Sequence, residues 1–118
     1  MKIVIGGQVE KAEIEGLVKQ YGGDKVETVV KPDLEAALMM KNQEADYYFG
    51  ACHTGGGGAL AMAIALLGKA QCTTISMPGK PPLKEKVEEA IAQGTKAFGF
   101  TGDHREQAVK YLMEALLK

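Results

Sequence analysis

The chain has no tryptophan, and aromatic residues make up only 6% of it. That speaks against a platform of side chains for stacking nucleobases. Neither sign of charge is in excess: 14 Lys and Arg stand against 15 Asp and Glu, a net charge of −1. Nucleic acid and anionic membrane surfaces both call for a basic stripe, and neither is expected as a partner. Long apolar runs are also missing. The longest uncharged one, residues 59–67, is about half of what a membrane span needs. The N-terminus, Met1-Lys2-Ile3-Val4-Ile5, enters a strand-like run without the segments of a signal peptide. The expected location is the cytoplasm. The two cysteines are expected as thiols there rather than as a bridge. No C-x-x-C or H-x-x-x-H spacing occurs, so neither a metal nor a cofactor is expected.

What is present is an ordinary folded composition, 46% apolar and 25% charged over 118 residues. The expectation is one α/β domain over residues 1–118. Strand-like and helix-like stretches alternate five times. The strands fall at residues 2–7, 26–31, 47–52, 72–77 and 97–101. The first helix covers 9–21, with Val9, Ile14, Leu17, Val18 and Tyr21 at helical spacing. Pro32 and Asp33 open the second, with Asp33 as N-cap and Leu34, Ala37 and Leu38 on one face. The third covers 59–67. Pro82 suits the first position of the fourth, marked by Leu83, Val87, Ala90 and Ile91. Asp103 and Glu106 form a capping-box-like start to the last. Strict alternation implies a three-layer α/β/α, Rossmann-like fold around a five-stranded parallel sheet. The order 2-1-3-4-5 is preferred. It sets the glycine turns after strands one and three across the crevice where ligands bind.

The stretch from Gly50 to Gly68 carries the chemistry. Gly55, Gly56, Gly57 and Gly58 lead from a strand end into a helix start. Glycine lets backbone approach a ligand closely, and a helix N-terminus offers free N–H groups and partial positive charge. Together they suit a phosphate, a carboxylate or an enolate-like oxygen. Gly6 and Gly7 face this run across the crevice, and Thr54 adds a hydroxyl. Cys52 sits just before the glycines, where a thiolate is favoured as nucleophile or base. Neighbouring strand residues point to opposite faces, so either Cys52 or His53 faces the ligand. Lys80 and His104 follow strands four and five on the same rim. In the preferred order, strand five lies about 10 Å from strand three, so His104 reaches the crevice only with a long ligand or from another subunit. Cys72 is read as core. The helix at 59–67 has no polar side, which points to a homodimer formed through it.

Two likenesses follow from these residues. Over nearly its whole length the chain resembles the YhfU-like family of small bacterial proteins of unknown function. The likeness lies in Glu44-Ala45-Asp46-Tyr47-Tyr48-Phe49-Gly50-Ala51-Cys52-His53-Thr54-Gly55, in the Ala-rich helix behind it, and in Ala97-Phe98-Gly99. Locally, Cys52-His53-Thr54-Gly55-Gly56-Gly57 is similar to the Cys-Gly-Thr-Gly-Ile-Gly loop of type B ribose-5-phosphate isomerases. That resemblance implies Cys52 as the base moving a proton between neighbouring carbons. Thr54, Gly55 and Gly57 would then hold the enediolate oxygen. His53 replaces a glycine of that loop, and Gly6-Gly7-Gln8 stands where those enzymes have Asp-His-x-Gly. The leading expectation is a domain binding a small anionic metabolite through the glycine loop. The alternatives are an isomerase or epimerase of a phosphorylated or carboxylated small molecule, and a phosphocysteine carrier resembling phosphotransferase IIB components.

Overall fold

The computed structural model describes residues 1–53 and 57–118. Five strands alternate with five helices: β1 (Lys2–Gly7), α1 (Lys11–Gly22), β2 (Glu27–Val30), α2 (Asp33–Lys41), β3 (Tyr47–Cys52), α3 (Gly57–Leu67), β4 (Cys72–Thr74), α4 (Lys84–Ala92), β5 (Ala97–Thr101) and α5 (Arg105–Leu116). All strand pairings are parallel. The three layers follow from side-chain alternation along the strands. Ile3, Ile5, Phe49, Phe98 and Phe100 point to one face, where Ile14 and Val18 of α1, Val87 of α4 and Val109, Leu112 and Met113 of α5 cover them. Val4, Tyr48 and Ala97 point to the other, under Ala36 and Met40 of α2 and Leu60 and Ala63 of α3.

The sheet order is β2-β1-β3-β5-β4, so the last two strands exchange places relative to the expected order. The physical reason lies in their composition. β4 is three residues long, Cys72-Thr73-Thr74, and only partly buried. β5 is Ala-Phe-Gly-Phe-Thr and wholly buried. A strand flanked on both sides and covered on both faces must be apolar. The threonines therefore go to the edge and the phenylalanines inside. The 72–77 stretch ends as a strand at Thr74, and past it Met77 and Lys80 form an isolated antiparallel bridge.

Four local expectations are corrected as well. Leu34 and Leu38 are exposed on α2, and Ala36, Ala37 and Met40 face inward. The helix lies close to the sheet, where the Ala36 methyl occupies the space a side chain at Gly6 would need. Asp33 is the first residue of α2 rather than its cap; Pro32 holds that place. Leu83 sits exposed at the cap of α4, with Pro82 outside the helix. Asp103 lies in a single 3-10 turn, Gly102–His104, and α5 begins after it at Arg105 without a side-chain cap. No helix among the described residues is long and apolar enough to cross a membrane.

Candidate functional site

The carboxyl edge of the sheet divides around β3. Its chain continues into α3, on the face that α2 shares. Both neighbours, β1 and β5, continue into helices on the opposite face, α1 and α5. The helices that follow therefore lie on opposite faces on each side of β3, which is where α/β sheets open their ligand crevices. Cys52 is the last residue of β3 and is buried. Alternation from Tyr48 places it on the α2/α3 face. His53 follows it at an exposed bend. Thr54, Gly55 and Gly56 lie outside the described residues, and Gly57 and Gly58 form the start of α3.

Tyr48 is the feature the sequence reading passed over. Its ring lies along the sheet on the same face, across Gly6 and Gly50. A methyl group on Gly6 would stand 2.7 Å from Tyr48 Cε2, and one on Gly50 2.9 Å from Cε1. Only glycine leaves that space on both strands. The phenol then reaches the carboxyl edge, where its O–H donates to the Asp33 carboxylate. Its oxygen accepts the Gly7 N–H at 3.0 Å. Burial first, and then the Asp33 carboxylate, push the Tyr48 phenol well above its ordinary value. The N–H groups of Gln8 and Val9 both donate to Ala51 O, at 2.8 and 3.3 Å. Gly7 takes a φ of 77° beside the Ala51 backbone. Gly6 and Gly7 thus serve the packing of Tyr48 and the close approach of β1 to β3.

On the other side of β3, Thr101 is the register partner of Cys52, one strand spacing or about 4.8 Å away. The expected gap between strands three and five does not exist, because β5 lies directly beside β3. Thr101 anchors a chain of hydroxyls. Its N–H donates to Ser76 Oγ at 3.0 Å, and its Oγ1 lies 3.2 Å from the same oxygen. Its Oγ1 also lies 2.6 Å from His104 Nδ1. Arg105 donates from Nη1 to Gly102 O at 2.8 Å and stands 3.9 Å from the Glu10 carboxylate. Glu10 is held in the left-handed region, φ 61°, where non-glycine residues are uncommon.

Lys80 lies elsewhere on the rim. It borders a groove of about 330 Å³ between β4 and α4, with Ile75, Met77, Leu83 and Lys86. Cys72, at the opposite end of its strand from the rim, is half-buried against the α2/α3 core, and burial pushes its thiol up. No group of three or more His, Cys, Asp or Glu side chains among the described residues could hold a metal ion.

The geometry can be set beside known proteins. The fold is similar to that of a type B ribose 5-phosphate isomerase from Trypanosoma brucei, with a TM-score of 0.70 over 98% of this chain and 84% of that one. At 16% identity the likeness is one of fold. In sequence, the uncharacterized protein YhfU of Escherichia coli (strain K12) is 36% identical over 115 residues, 98% of this chain and 97% of the relative. The YhfU of Shigella flexneri matches to the same extent. Residues 1–116 match one family throughout, and the chain belongs to it: the family described as protein of unknown function DUF2620.

Proposed function

We propose that the carboxyl edge around Cys52 binds a small phosphorylated or carboxylated hydroxy-carbonyl compound and isomerises it by proton transfer. The observation that carries this reading is the position of Cys52. It closes the central strand, which is followed by a helix on one face while both neighbours are followed by helices on the other. The type B isomerase of Trypanosoma brucei shares this fold. In the reaction the Cys52 thiolate takes the hydrogen on the carbon beside the carbonyl and returns it to the neighbouring carbon. The first turn of α3, with Gly57 and Gly58, holds the anionic group on main-chain N–H. The whole chain acts as one domain in the cytoplasm, where both cysteines persist as thiols. It pairs with a second copy through α3, whose described outer residues carry no charge.

The test is hydrogen exchange in deuterated water with ribose 5-phosphate and a panel of related aldose and ketose phosphates. Wild type incorporates deuterium at the carbon next to the carbonyl. Cys52→Ala and Cys52→Ser lose that exchange by about 100-fold or more, while affinity for inorganic phosphate stays within about tenfold, because the backbone supplies that contact. Equal exchange by Cys52→Ala excludes the cysteine as base. Loss of phosphate binding in Cys52→Ser removes the backbone cradle from the scheme.

A further inference from the structure

We infer that Ser76 and Thr101 fix the tautomer of His104, and that His104 is the acid partner of Cys52. The inference rests on the isomerase reading for its substrate and on donor accounting for its geometry. Ser76 Oγ accepts the Thr101 N–H. The Ser76 hydroxyl also lies 3.2 Å from Thr101 Oγ1, so its own hydrogen points there. Thr101 Oγ1, having accepted that hydrogen, has its own left to give. Its remaining partner is His104 Nδ1 at 2.6 Å. Every hydroxyl then both donates and accepts, as buried hydroxyls require. Ser76 and Thr101 are both buried, and no buried side-chain oxygen or nitrogen among the described residues lacks a partner. The reverse direction would leave the Ser76 hydrogen without an acceptor.

With Nδ1 accepting, the neutral ring carries its hydrogen on Nε2. The Asp103 carboxylate, 3.7 Å from Nδ1, competes weakly because it is 71% exposed. The His104 side chain is 16% exposed, so the ring is not sealed off. Thr101, whose hydroxyl holds the ring, is the register partner of Cys52 on the adjacent strand.

The two groups divide the chemistry of an aldose–ketose interconversion. Cys52 Sγ carries hydrogen from one carbon to its neighbour. Nε2–H gives its hydrogen to the carbonyl oxygen and takes back the one on the adjacent hydroxyl. A carbonyl and an alcohol exchange places, both side chains end as they began, and no outside reactant is consumed. His104 is then a catalytic residue; Ser76 and Thr101 are positioning residues.

Nitrogen-15 NMR of the full-length protein reads the tautomer without any substrate. The chain has two histidines, and His104→Gln assigns their signals. Near neutral pH, neutral His104 shows a protonated Nε2 and an unprotonated Nδ1. Thr101→Val relaxes it toward the mixture shown by exposed His53, and Thr101→Ser restores it. A neutral His104 ring protonated on Nδ1, or one mixed like His53 in wild type, overturns the inference. In the exchange assay His104→Gln lowers kcat about 100-fold, and Thr101→Val lowers kcat with KM held within twofold. A Thr101→Val protein that loses the tautomer and keeps its kcat also overturns it. Absence of any exchange by wild type removes the isomerase reading and with it the acid role. The spectrum alone then decides whether the hydroxyl chain orients the ring.

Discussion

At the scale of single residues, Tyr48 joins three elements through one oxygen. Its hydroxyl ties α2 through Asp33 and the β1 turn through Gly7, while its ring occupies space two glycines leave open. Tyr48→Phe keeps the ring and removes the oxygen, leaving the Asp33 carboxylate without this donor and the Gly7 N–H without its acceptor. The expected cost at neutral pH is about 1–3 kcal/mol, measured by urea unfolding. The sign of the pH dependence follows from the raised phenol. The folded state keeps its proton beyond the ordinary value of 10.0, while the unfolded chain loses it there. The unfolded state then binds fewer protons, so stability falls as pH rises past about 10, by about 1.4 kcal/mol per pH unit for this group. Its contribution is fully present below that point. The stability gap between wild type and Tyr48→Phe therefore narrows on going from pH 9 to 11; a constant gap would mean that Tyr48 ionises alike in both states. Little of this was legible in advance. Cys52 and the glycines stand out in a sequence, but a tyrosine within an apolar strand reads as core. Its role depends on where α2 lands.

At the scale of elements, the strands buried on both faces were the easiest to read. β1, β3 and β5 begin and end where the apolar runs do. Helix faces were harder, because which side turns inward depends on how close the helix can come. α2 turns alanines to the sheet and leucines to solvent for that reason. α3 presents the same question on its outer face. Met62 and Ile64 keep 42% and 38% of their surface exposed, on a helix without a charged residue. The neighbouring α2 adds Leu34 and Leu38 on the same side of the sheet. If this surface joins two copies, a charge placed on it must be desolvated in the dimer and not in the monomer. Met62→Lys with Ile64→Lys should shift sedimentation from dimer to monomer at micromolar concentration while leaving the circular dichroism unchanged. A wild-type monomer at that concentration would remove α3 from the scheme.

At the scale of the whole molecule, the strand order decides what meets at the site. With β4 and β5 in sequence order, the groups after β5 would stand two strands from Cys52; with β5 inside, Thr101 becomes its neighbour, and His104 is bonded to Thr101. The signal for the exchange was present in Cys72-Thr73-Thr74 against Ala97-Phe98-Gly99-Phe100. The usual adjacency of consecutive strands masks that signal. The same order predicts how the molecule opens. β1, β3 and β5 pair on both sides, whereas β2 and β4 pair on one side and are partly exposed. Local opening starts where few apolar contacts and half-paired backbone coincide. Native-state hydrogen exchange should therefore give the slowest amides in β1, β3 and β5, at the free energy of global unfolding. The amides of β4 should exchange faster, through local opening that depends little on denaturant. Ser76 lies two residues past the end of β4, so this edge opens close to the residue that begins the hydroxyl chain to His104. Protection of Thr73 equal to that of Phe98 would show that β4 is held as firmly as the centre of the sheet and that the edge does not open on its own.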